Sequence, residues 1–148
     1  MLNYKIYEDD YFSISFSIFL EMRYHYMVQS YSKEGHDKCK AVAEAFRELY
    51  DMLGDTCVLD AGEFGFVYLT NYMEQKSSFD GNQVYCDVEE LFEDLWLDWL
   101  YNEVLRSGIA SEDEDFDFEE VYNALSVEKK QEYAEKRQDF LDLAGLTD

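Results

Sequence analysis

Proline is absent from all 148 residues, glycine occurs seven times, and lysine and arginine together number 12 against 34 acids. The first two scarcities leave no proline-, glycine- or serine-rich linker, and no internal repeat is visible. The chain therefore reads as one domain, residues 1–148, long enough to bury one core. The shortage of bases excludes direct nucleic-acid binding, because phosphate contacts need clustered lysine and arginine and residues 77–105 contain neither. Cysteine is scarce as well. Cys39, Cys57 and Cys86 are odd in number and lack framework spacing, which predicts buried thiols in a reducing compartment. The longest apolar stretch, residues 12–20, is interrupted by Ser13, Ser15 and Ser17 and is too short to span a bilayer. With no basic start leading through an apolar run to a small-residue cleavage site, the expected location is the cytoplasm of the producing or infected cell, away from membranes.

The shortage of histidine narrows the chemistry. A nucleophilic triad needs a serine or cysteine, a histidine base and a group to orient it, and His25 and His36 stand in no such context. His36 and Cys39, three apart, could share one helical face, but a structural zinc site needs four ligands in closely spaced pairs. The acids at Asp113, Asp115 and Asp117 match the first positions of a calcium loop. Phe118 then stands where that loop needs glycine, and Ala124 where it needs a bidentate glutamate. The segment from Gly62 to Gly65 lacks the lysine and the spacing of a phosphate loop. The expectation is a chain without catalytic residues, metal or cofactor, and not an enzyme.

What the chain has in quantity is aromatic side chains and negative charge. Aromatics make up 18% of the residues, enough for a packed core, so a net charge of −22 does not imply disorder. That charge exceeds what solubility asks of a small domain, roughly 8 in magnitude. It repels nucleic acid and anionic membrane and attracts basic proteins. It is also uneven: residues 1–50 hold eight acids and six bases, whereas residues 51–148 hold 26 acids and six bases. The early part reads as scaffold and the later part as the acidic working region.

Periodicity predicts an α+β fold, an N-terminal antiparallel sheet (a hairpin plus further strands) packed with about three helices, with an acidic, helical C-terminal part. Residues 1–86 are mainly strands plus one helix, and residues 87–148 form the acidic helical region. Residues 2–7 read as a short strand, and Phe12, Ile14, Phe16, Ile18 and Leu20 alternate as the core face of a second. Residues 24–32 return as its hairpin partner. A first helix is expected from about Asp37 to Gly54, with Val42, Ala45, Phe46, Leu49 and Leu53 as its apolar stripe. Residues 56–59 and 64–71 are strands around a turn at residues 60–63, and residues 83–86 add a short one. Asp87 with Glu90 is the aspartate form of a capping box and opens a second helix to about Arg106, ended by Gly108. An acidic loop, residues 111–120, leads to a third helical region with a cap at Ser126 and a stop at Gly145. There Lys129, Lys130, Lys136 and Arg137 alternate with Glu128, Glu132 and Glu135 as intrahelical ion pairs.

The second helix carries the functional expectation. Asp87, Glu90, Asp94 and Asp98 fall on one side of it, about 5 to 6 Å apart along the axis, beside the seating stripe Val88, Leu91, Phe92, Leu95 and Trp99. Glu89 and Glu93 widen this line, and Glu112, Asp113, Glu114, Asp115 and Asp117 extend it. Leu97, Leu100, Tyr101 and Val104 lie beside the acids; they either pack under the third helical region or form an aromatic-aliphatic anchor. A line of charge at this scale can occupy lysines and arginines that otherwise hold a nucleic-acid backbone. In size and charge the chain resembles the acidic anti-restriction and anti-CRISPR proteins of phages and mobile elements, several of which are DNA mimics. The resemblance implies an inhibitor that occludes the basic surface of a nuclease or defence effector. An immunity protein against a cognate nuclease toxin, or a non-enzymatic adaptor for a basic protein, would rest on the same complementarity.

Overall fold

The computed structural model describes residues 32–70, 84–110 and 117–147. The strands expected over residues 2–7 and 12–20 lie outside the described residues, as does all of the one expected over residues 24–32 except Ser32, which caps a helix. His25 and the loop acids Glu112, Asp113, Glu114 and Asp115 lie outside them too.

The first helix, α1, spans Lys33–Ala45 and starts four residues before the expected Asp37. Ser32, in extended conformation, accepts a hydrogen bond on Oγ from the Gly35 amide at 3.0 Å, which satisfies one of the orphan donors at the helix start. The chain does not run as one helix to Gly54. It breaks at Phe46, and α2 covers Arg47–Leu53 before Gly54 closes it at φ 77°. Phe46 is fully buried, stacked on Phe140 at 4.3 Å and edge-on to Phe92 at 5.3 Å. The helix bends where the core claims that ring.

Three strands follow, in the order β1-β2-β3: β1 Thr56–Asp60, β2 Phe66–Thr70 and β3 Val84–Tyr85. β1 and β2 form an antiparallel hairpin with Val58 opposite Tyr68. β3 pairs antiparallel to β2, with Tyr85 opposite Phe66. A 3-10 turn at Gly62–Phe64 joins the hairpin, and Asp60 accepts a hydrogen bond from the Gly62 amide at 2.8 Å, an aspartate turning the chain through its own side chain.

The acidic helix, α3, spans Val88–Arg106 with Asp87 as its cap, accepting from the Glu90 amide at 2.9 Å as the capping-box reading requires. The third helical region is two helices, α4 at Phe118–Asn123 and α5 at Val127–Leu143. Residues 118–120, expected in the acidic loop, are therefore helical. The described residues thus form an α+β fold with a three-stranded antiparallel sheet and five α-helices. Helices outnumber the expected three because the first and third each break into two.

One hydrophobic cluster runs from α1 to the end of α5. Trp96 and Trp99 stack at 5.3 Å on α3, and Phe140 meets both from α5. Buried positions on α3 include the expected Leu91, Phe92, Leu95 and Trp99, with Trp96, Leu100 and Val104 in addition. A helix buried over so wide an arc has only a narrow side left for solvent.

Candidate functional site

The four acids read as one open line do not share one environment. Asp87 is occupied as the helix cap. Asp94 is half-buried and accepts from the Tyr85 hydroxyl of β3 at 2.7 Å. Asp98, also half-buried, accepts from the Tyr68 hydroxyl of β2 and from the Asn102 side-chain amide at 3.0 Å. Burial, and then the neighbouring carboxylates, push both tyrosine hydroxyls well above their ordinary range, so they stay protonated as donors. Asp94 and Asp98 thus fasten α3 to the sheet.

The open side of α3 is carried by Glu89, Glu90 and Glu93, continued by Leu97, 52% exposed, and Tyr101, 38% exposed. Leu100 and Val104 are buried, with Val121, Tyr122 and Leu125 packed against the same cluster. The apolar residues beside the acids are therefore divided: two are buried in the common cluster, and two remain at the surface. Tyr101 rests its ring on Phe118 at 5.6 Å. Asp117 caps α4 by accepting from the Glu119 amide at 2.9 Å.

The carboxylates are not left to repel one another unrelieved. Arg137 of α5 reaches Glu93, and Lys136 reaches Glu48 of α2 at 2.8 Å. Both bases bridge helices instead of pairing within α5 as expected. Lys129 does pair within its helix, with Glu132 at 3.1 Å. Seating Phe140 in the core puts Lys136 and Arg137, four and three residues before it, on the side of α5 that faces its neighbours.

A second cluster lies between α1 and the sheet. The His36 side chain is 17% exposed, and its Nε2 lies 2.8 Å from Oδ1 of the buried Asp60. The ring also packs on Phe66 at 5.0 Å. Cys39 and Cys57 are buried as expected, whereas Cys86 is exposed. Cys39 and Cys86 join His36 around a cleft of about 40 Å³, room for water-sized molecules only. Burial, with Cys86 and Asp87 nearby, pushes the Cys39 thiol up to about 11, and burial raises the Cys86 thiol as well. Both are thiols at neutral pH and not the thiolates that nucleophilic chemistry uses. The turn reading at residues 60–63 gave the sequence signal for Asp60; nothing local signalled that His36, 24 residues away, would meet it.

Among the described residues no group of three or more histidines, cysteines and acids is arranged to hold a metal ion. Among them, too, no helix is long and apolar enough to cross a membrane. Compared with protein-family models, curated proteins and solved structures, the chain matches none.

Proposed function

We propose that this chain is an acidic inhibitor, cytoplasmic in the producing or infected cell, that binds a basic protein and covers its nucleic-acid-binding surface. The target class is a nuclease or defence effector. The observation that carries the reading is the open side of α3, where Glu89, Glu90 and Glu93 adjoin the exposed Leu97 and Tyr101 in a chain of net charge −22. Charge of this size steers a basic partner into encounter, and an aromatic-aliphatic anchor beside it gives the encounter a place to dock. Asp94 and Asp98 support that surface from beneath, and Asp87 holds its first turn.

The test is capture of basic nucleic-acid enzymes on the immobilised protein, followed by competition. The captured enzyme should be released by duplex DNA, and its association rate should fall steeply between low and physiological salt, where exposed charges are screened over about 8 Å. An enzyme that stays bound in excess DNA, with affinity flat in salt, would overturn the reading.

A further inference from the structure

Between α3 and α5, on a side of α3 other than the one that carries Glu90, Leu97 and Tyr101, runs a groove of about 350 Å³. That volume lies in the range of small-ligand sites. Trp99 from α3 and Tyr133 from α5 line it, edge to face at 6.2 Å and 80°. Both residues are buried, at 4% and 2% exposure, and neither the Trp99 Nε1–H nor the Tyr133 hydroxyl has a hydrogen-bond partner among the described residues. Leaving such a group unsatisfied costs stability. An indole N–H can only donate, so what satisfies it must bring an acceptor oxygen.

The groove's walls ask for a different group. Five acids and two bases line it, and each base is already spent on one of those acids: Arg106 on Glu103 at 2.7 Å, and Lys136 on Glu48 at 2.8 Å. Glu135 takes a hydrogen bond from the neutral Gln131 amide at 3.2 Å, a partner that brings no positive charge. The Lys136 ammonium also lies 5.7 Å over the Trp99 ring and 5.1 Å over Phe140. The protein thus already places a cation of its own on the aromatic floor.

We infer that this groove binds an arginine-bearing peptide segment of a basic protein: the guanidinium displaces the Lys136 ammonium from Trp99, and a main-chain carbonyl then accepts from Trp99 Nε1–H and the Tyr133 hydroxyl, both closed to solvent while Lys136 is in place. A planar guanidinium suits both the ring faces and the carboxylates of Glu135 and Asp139 better than an ammonium does. A polyamine has the charge without the carbonyl, and a neutral peptide the carbonyl without the charge. The inference rests on the reading of the chain as a binder of basic proteins, and it adds a second contact point away from the Glu90–Tyr101 side.

The chain has two tryptophans, so its nitrogen-15 NMR spectrum has two indole N–H signals, one of them from Trp99. N-acetyl-arginine methylamide titrated into the full chain should shift the Trp99 signal downfield and saturate. The uncharged citrulline analogue, and agmatine, which lacks the carbonyl, should each bind at least tenfold more weakly. Glu135→Gln with Asp139→Asn, both on the exposed side of α5, should weaken the arginine probe about tenfold. Lys136→Ala should tighten it at least threefold by removing the resident cation, whereas Lys33→Ala, an equal change in net charge on α1, should not. A Trp99 signal that never saturates, or equal tightening by both lysine variants, overturns the groove. If DNA displaces a captured enzyme while the Trp99 signal of the chain stays still throughout, the acidic-surface reading stands and the groove is wrong. If the arginine probe binds as described but DNA displaces nothing, the groove stands and nucleic-acid mimicry fails.

Discussion

Tyr85 of β3 donates its hydroxyl to Asp94 of α3 at 2.7 Å, and one helical turn further on Tyr68 of β2 does the same to Asp98. Both bonds run from sheet to helix and turn mutually repelling carboxylates into fasteners. Hydrogen bonds to charged acceptors contribute about 1.5 to 3 kcal/mol, less where solvent reaches them. Tyr85→Phe and Tyr68→Phe should each lower unfolding free energy by about 1 to 2 kcal/mol, read as a shift of the urea midpoint with unchanged slope. Stability unaltered in both variants would show that the pairs contribute nothing net.

These same groups set an alkaline limit. Burial raises the Tyr68 and Tyr85 hydroxyls, and it lifts the Cys39 thiol from 9.0 to about 11. In each case the folded state favours the neutral form. The stability this contributes is complete below the ordinary value and is lost as pH climbs through the raised one. The urea midpoint should therefore fall from pH 9 upward, first through Cys39 and then through the tyrosines. Cys39→Ala should flatten the portion between pH 9 and 11. A midpoint constant to pH 11 would contradict the buried thiol and phenols.

Local signals in the sequence located what local physics determines. The cap at Asp87, the cap at Ser126, the stop at Gly54 and the turn that Asp60 opens all stand where residue chemistry places them. What was not legible depends on partners distant in the chain. Phe46 looked like one more member of a helical stripe, and only its stacking on Phe140 shows why the helix breaks there. The helical wheel sets Asp94 and Asp98 beside Asp87 and Glu90. It could not show that tyrosines 9 and 30 residues away would cover two of the four. Lys136 and Arg137 had acids at helix spacing to hand and still paired across helices, because Phe140 fixes the rotation of α5.

Asp60 concentrates two duties in one buried carboxylate, accepting from the Gly62 amide at 2.8 Å and facing His36 Nε2 at 2.8 Å. Asp60→Ala removes both bonds and leaves a half-buried amide and a half-buried imidazole without their acceptor, a loss of about 2 to 4 kcal/mol. Asp60→Asn keeps an oxygen for the turn and should lose about half as much. Thermal unfolding of the three proteins orders them. If the asparagine and alanine variants unfold together, the turn bond carries no weight and the charge facing His36 carries all of it.

The last expectation separates the acids that hold α3 from those that face a partner. Glu89, Glu90 and Glu93 are exposed, and the Glu93–Arg137 pair belongs to a class of surface ion pairs that contributes about 0 to 1 kcal/mol. Changing the three to glutamine keeps size and polarity and removes like charge from adjacent turns. Stability should therefore move by no more than about 0.5 kcal/mol. Binding to a basic partner should weaken well beyond tenfold, since each lost charge-assisted contact carries on the order of 1 kcal/mol. Asp94→Asn with Asp98→Asn should behave in the opposite sense. An amide oxygen is a poorer acceptor for Tyr85 and Tyr68 than a carboxylate is, so stability should fall by about 1 to 2 kcal/mol. Affinity, measured where both variants are fully folded, should change less than threefold. Urea unfolding and surface plasmon resonance on one set of proteins give both readouts. If the inner pair proves the larger determinant of binding, the partner reads the sheet-side carboxylates, and the open side of α3 is only a solvated face.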